Sequence, residues 1–269
     1  MIRRAVLVVL GLIWLGPTYL LIVNASRPAE SYDPARAWAP PGDFALLDNF
    51  ARALEGADLG ASLASTALYS VVSPALGVLI GALAGYTIVV LRLRHGFWWF
   101  LLLFGGTVFP SQMLLVPLFV GYSDAGLYDS RLGMILIYTA INVPLAAFVL
   151  RNFYSGVAFS IFEAARMDGA STWRVFWRIY LPLATSALAA VFILEFTFIW
   201  NDLIFGLTLT QTAEVRPVMT ALAGLMTDVY AGTPVPVGLA AGLVVSLPTV
   251  VLFLATQRLF ARGLSLGSV

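Results

Sequence analysis

The sequence predicts an all-α membrane protein: six transmembrane helices, with a cytoplasmic helix-turn-helix loop joining the fourth to the fifth. Three observations predict it. Hydrophobic residues fill 60% of the 269 positions and charged residues 11%, against about 45–50% and about 25% in an ordinary soluble domain. Charge-free runs cover residues 5–23, 62–91, 97–123, 132–150, 179–194 and 229–257, and each supplies the apolar body of a segment of ~20 residues, enough to cross ~30 Å of hydrocarbon. No period-2 alternation supports a barrel, and lipid offers an unpaired backbone no partner, so helices are the remaining solution.

Arg3 and Arg4 precede the first run and could open a signal peptide. The run is longer than the ~7–15 apolar residues of such a peptide, so a retained helix is expected, its Gly16-Pro17 tolerated among neighbouring helices. The connection over residues 24–61 holds Pro28, Pro34 and Pro40-Pro41-Gly42. These deny it a long helix and leave Leu46 to Leu54 as a short surface one. The second run is too long to stand upright and contains Pro74, so it should tilt, kink or project beyond the bilayer. Gly77, Gly81 and Gly85 recur there every four residues, a spacing that lets helices approach closely.

In the third run Pro110 and Pro117 lie two turns apart with Ser111 and Gln112 between them. A loosened backbone beside an amide suits either a wall facing water or a packing kink. Asn142 in the fourth run has the same two uses, hydrogen bonding a hydroxylated solute or joining helices. Glu195 and Asp202, in or beside the fifth run, are seven residues apart and so share a helical face, about 10 Å apart along the axis. One ionised carboxylate in lipid costs about 2.5 kcal/mol or more, so that face should turn into the protein or a watery cavity. A hydrogen bond to a neighbouring helix is one reading. A proton relay is the other, and it would make the chain a proton-coupled secondary transporter.

All fifteen basic residues are arginine, cysteine is absent, and His95 is the one histidine. A P-loop lysine, a Schiff-base lysine, a thiol nucleophile and a cysteine-bound metal are therefore impossible here. No catalytic residue, metal site, cofactor site or nucleic-acid partner is expected, and His95, following Arg92 and Arg94, reads as a solvated or headgroup-facing residue. Alternating the connections between two sides puts ten arginines on one side (3, 4, 92, 94, 151, 166, 174, 178, 258 and 262) and five on the other. The positive-inside rule then places the first set and both termini in the cytoplasm.

The loop between the fourth and fifth runs carries the charge. Ser160-x-x-Glu163 has capping-box spacing, which predicts a helix from Ile161, and Gly169 suits a left-handed stop. Ser171 can cap a second, amphipathic helix carrying Trp173, Phe176, Trp177 and Ile179, until Pro182 redirects it into the bilayer. Taken alone, Ser-x-x-Glu fits a juxtamembrane helix whose acids balance Arg166 and Arg174. The wider order, Glu163-Ala164-Ala165, Asp168-Gly169-Ala170 and Ile179-x-Leu181-Pro182, resembles the cytoplasmic coupling loop of permease subunits in binding-protein-dependent ABC importers.

Within that family the chain is most similar to the second permease of maltose-type carbohydrate systems. The resemblance implies an N-terminal helix and extracytoplasmic loop over 1–61, the shared transmembrane domain over 62–260 with a coupling loop at about 155–181, and a cytoplasmic tail over 261–269. It also implies that Glu163, Ala164, Ala165, Asp168, Gly169 and Ala170 form a knob seated in a cleft of the ATPase subunit. Pro110-x-Gln112-x-x-x-x-Pro117-Leu118 and Trp200-Asn201-Asp202 resemble segments near the translocation path or its gate, whereas Glu195 matches no family position. The implied partners are a homologous second permease, two ATPase subunits that hold ATP and Mg, an extracytoplasmic solute-binding protein and the bacterial inner membrane. The implied activity is alternating access for a carbohydrate or similar polyhydroxylated solute. The tail from Gln257 to Val269 lacks the family's usual basic ending, which leaves its contact with the ATPase open.

Overall fold

The computed structural model describes residues 2–56, 58–108, 110–228 and 234–265; for residues 2, 108, 111, 228 and 257–265 it describes the backbone only. Among them every regular element is helical. α1 (Ile2–Ala25) leads through two 3-10 turns to α2 (Leu46–Gly56), the short helix that the prolines around it predict. α3 (Leu59–Val89) is followed by α4 (Gly96–Gly105), α5 (Leu115–Asp124), α6 (Arg131–Ser155) and α7 (Ser160–Met167). α8 (Thr172–Val175) continues through a π turn into α9 (Leu181–Leu183), and the chain closes with α10 (Thr185–Trp200), α11 (Ile204–Leu209), α12 (Val218–Asp228) and α13 (Val235–Ser265).

Among the described residues, four continuous helices are long and apolar enough to cross a membrane: Arg3–Ala25, Leu59–Val89, Arg131–Ser155 and Val235–Thr256. A fifth candidate is a broken one, Thr172–Leu183 joined to Thr185–Trp200 at 74°. Here the apolar run at 179–194 misplaces the element, because hydropathy does not register a bend at Ala184; α10 begins there and carries on past Glu195. The run at 97–123 is also not one helix. α4 and α5 are separated by 3-10 turns over Gly106–Val108 and Ser111–Leu114, with Pro110 extended at φ −57° and ψ 127°. A glycine pair and a proline without an N–H interrupt the hydrogen-bond ladder while leaving the hydropathy unchanged. Residues 229–233 and 266–269, parts of the sixth run and of the tail, lie outside the described residues.

α3, α6 and α10 form the centre. A Cβ on Gly81 would stand 2.5 Å from the Ala146 Cβ, and one on Gly85 2.7 Å from the Arg151 nitrogen. The glycine stripe therefore sets how near α3 lies to α6, and Pro74 is accommodated inside an unbroken α3. At one end of the bundle Tyr69 Oη donates to the Val215 carbonyl at 2.8 Å and Arg131 Nη2 to the Glu214 carbonyl at 3.1 Å. At the other end Tyr86 Oη donates to the Thr172 carbonyl at 3.0 Å, and the Arg92 guanidinium lies 3.9 Å from the centre of the Phe159 ring. Residues 62–69, 129–131 and 211–218 thus share one end and residues 86–95 and 151–180 the other, which is the pairing that alternate connections require.

Candidate functional site

The 160–170 knob is built on a small left-handed stop. α7 ends at Met167, Gly169 takes φ +78°, and the Ala170 N–H returns to the Ala165 carbonyl at 3.0 Å. Arg166 Nη1 donates to the Ala170 carbonyl at 2.7 Å and holds the turn from outside. The expected capping box does not form. Phe159 stands at the cap in helical conformation and Ser160 lies inside the first turn, so its hydroxyl never faces the orphan N–H groups. Ser171 does cap α8, accepting from the Arg174 N–H at 3.3 Å.

Charge and shape divide cleanly across α7. Ala165 is buried against the bundle, whereas Glu163, Ala164, Asp168 and Gly169 are exposed and Ala170 is half-buried. Neither carboxylate makes an ion pair among the described residues. The reading in which these acids balance Arg166 and Arg174 therefore finds no contact to support it. What the arrangement offers is two unpaired acids around a surface of small side chains, open to charge-assisted contacts from a basic partner.

An aromatic cluster anchors the knob. Tyr86 of α3 stands 5.2 Å from Phe176 and 5.1 Å from Tyr180, ring centre to ring centre, and Tyr154 of α6 stands 5.6 Å from Tyr180. The two tyrosine pairs meet edge-on and Tyr86–Phe176 is tilted; edge-on pairs contribute about 0.5–1.5 kcal/mol each beyond their burial. Val175, Phe176 and Tyr180 are fully buried. The sequence alone assigns no role to Tyr86 or Tyr154; a tyrosine near the end of one apolar run and another just beyond Arg151 are the available signal, and spacing within one run does not reveal a partner in another.

The residues assigned to a path separate into two groups. Gln112 lines a cleft of ≈ 690 Å³ with Thr107, Pro110, Pro117, Ile137 and Phe198. Asn201 lines a second of ≈ 520 Å³ with Thr197, Phe198, Thr249 and Phe253. Phe198 is common to both, and with Leu194, Thr197 and Asn201 it forms the exposed face of α10. Asn142, Glu195, Trp200 and Asp202 are buried inside the chain. Trp200 Nε1 donates to the Val245 carbonyl at 2.9 Å and so ties α10 to α13.

Glu195 and Asp202 do not share a helical face. α10 ends at Trp200, and Asp202 lies past the turn, where its Oδ2 accepts from Tyr138 Oη at 2.9 Å and from the Gly206 N–H at 3.2 Å. It closes the start of α11 and joins it to α6. The seven-residue spacing assumed a helix that stops two residues too soon.

A family model described as the binding-protein-dependent transport system inner membrane component matches residues 59–266. The melibiose/raffinose/stachyose import permease of Bacillus subtilis is 33% identical over 254 residues, covering 94% of this chain and 90% of its own. The trehalose transport system permease of Mycobacterium tuberculosis is 31% identical, covering 83% of this chain and 81% of its own. Among solved structures, a chain of a bacterial ABC transporter that imports the acidic polysaccharide alginate superposes with a TM-score of 0.73 at 22% identity, covering 96% of this chain and 94% of that one. At that identity it speaks to the fold.

Proposed function

The chain belongs to the family of binding-protein-dependent transport system inner membrane components, and on that premise we propose that it forms half of an alternating-access path for a carbohydrate and couples that path to a separate ATPase. It is a transport subunit of an ABC importer and not an enzyme. The observation that carries the coupling is the exposed pair Glu163 and Asp168, free of ion pairs among the described residues, on a knob clamped from behind by Tyr86, Tyr154, Phe176 and Tyr180.

In this reading the knob sits in the cytoplasm in a cleft of the ATPase, which holds ATP and Mg, and both termini lie on the same side. A homologous permease supplies the other half of the path, a second ATPase subunit completes the motor, and an extracytoplasmic binding protein delivers the solute. Closure of the ATPases draws the knobs together. The aromatic cluster carries that displacement into α3, α6 and α10, and the path opens outward. Reversing a 1:99 preference takes about 5.5 kcal/mol, more than weak solute binding supplies, which is why nucleotide drives the step. The sugar assignment rests on the relatives named above and on the polar groups of Gln112, Thr197 and Asn201 on the open clefts.

A proton-coupled carrier would need Glu195 and Asp202 in one relay. Asp202 is already engaged by Tyr138 and by α11, and that reading is not supported. The test is ATP-driven uptake by the full importer in vesicles. Glu163→Lys should lower it by about tenfold or more, the loss of one charge-assisted contact, while the assembled complex is still recovered. Uptake without ATP, unchanged by that substitution, would overturn the proposal.

A further inference from the structure

Glu195 is 1% exposed and neither of its carboxyl oxygens has a hydrogen-bond partner among the described residues. The chain's other four glutamates, at 30, 55, 163 and 214, are all exposed. Its surroundings are defined by Gly77 of α3. A Cβ there would lie 3.3 Å from Glu195 Oε2, 3.0 Å from the Asn142 Cβ and 3.6 Å from the Thr139 carbonyl. The absent side chain is therefore what makes room for the carboxyl between α3, α6 and α10. Two more orphans stand on the α6 wall of that space: Asn142 Nδ2 and Thr139 Oγ1 are likewise buried without partners.

Among the described residues no positive charge faces this layer. α3 has no charged residue along its length, only Tyr69 and Tyr86 toward its two ends. α6 carries Arg131 and Arg151 at its extremities, and its Tyr138 is spent on Asp202. α9 has none, and α13 has none from Val235 to Thr256. An ionised carboxylate here would lie unpaired at membrane depth, which is the arrangement that lipid-embedded proteins avoid.

We infer that Glu195 is carried through the transport cycle as a neutral carboxylic acid, its C=O and O–H turned to the Asn142 amide and the Thr139 hydroxyl, directly or through an internal water. So held, it is a polar lock between the three central helices, on the buried side of α10 that adjoins the exposed residues Leu194 and Phe198. It positions the path-facing surface of α10 and moves no proton. This inference is independent of which solute is carried.

The experiment is infrared spectroscopy on the assembled importer, with this chain alone carrying side-chain-labelled glutamate. One of the five glutamates should show the C=O stretch of a protonated acid at about pH 7, where exposed carboxyls are ionised. That band should vanish in Glu195→Gln and shift in Asn142→Leu. Glu195→Gln should keep ATP-driven uptake within about twofold of the parent, since an amide preserves shape and neutrality. The labelled parent protein needs no substitution, so a variant that misfolds does not blunt the test. A carboxylate band alone at neutral pH, a band that moves on adding sodium, or uptake abolished by Glu195→Gln with the complex intact would each overturn the inference.

Discussion

Asp129 holds a left-handed backbone at φ 50°, and its Oδ1 accepts from the N–H groups of Gln211 at 2.8 Å and Thr212 at 3.0 Å. Burial pushes this carboxyl upward, but those donors, with the Thr212 hydroxyl and the Arg216 charge, outweigh it and leave it below the usual aspartate value. A depressed value means the tie is at full strength above the ordinary aspartate range of about 4 and is lost as pH falls through the lower folded value. Asp129→Asn should remove that acid-side loss, read as the thermal midpoint against pH. Asn49 has a similar structural office. Its Nδ2 donates to the Ala25 and Arg27 carbonyls at 2.8 and 2.7 Å, closing the end of α1. Asn49→Ala leaves both carbonyls unpaired and should cost about 1–3 kcal/mol in denaturant titration. The sequence marks Asn49 as polar on a short helix, yet no local spacing tells which carbonyls, more than twenty residues away, it serves.

At the scale of elements, the α3 and α6 pair was the most legible. Three glycines at four-residue spacing predict a close approach, and the distances to Ala146 and Arg151 supply it. Gly81→Val would drive two methyl groups into backbone, where little can yield; a loss of about 1–3 kcal/mol or more is expected, measured as the temperature at which the detergent-solubilised complex aggregates. Helix boundaries were legible where a cap or stop residue announces them, at Ser171 and Gly169. They were not where apolar sequence runs on through a break. Gly105-Gly106 and Pro110 split the third apolar run, and Ala184 hides the bend before α10, since neither changes hydropathy. Ser160 shows the converse: its spacing to Glu163 is right, but Phe159 already has helical angles and takes the cap position.

For the whole molecule, the proposed pairing with a second permease fits what the chain leaves open. The face of α10 with Leu194, Phe198 and Asn201 is uncovered, and both clefts meet there. Cysteines placed at Leu194 or Asn201 should cross-link to the partner permease or be protected by added sugar in the assembled importer, while cysteines at Val191 or Ile199, buried within this chain, should do neither. The family was readable in the sequence because the knob's residues are contiguous. The anchor behind it was not, since Tyr86, Tyr154 and Tyr180 come from three separate segments. On the proposed reading, the angle of 74° between the 172–183 segment, which follows the knob, and α10 would work as a bell crank: pushed sideways along the plane of the bilayer, the short arm would swing the long one, so that a shove from the engine would arrive at the pore wall as a change of tilt.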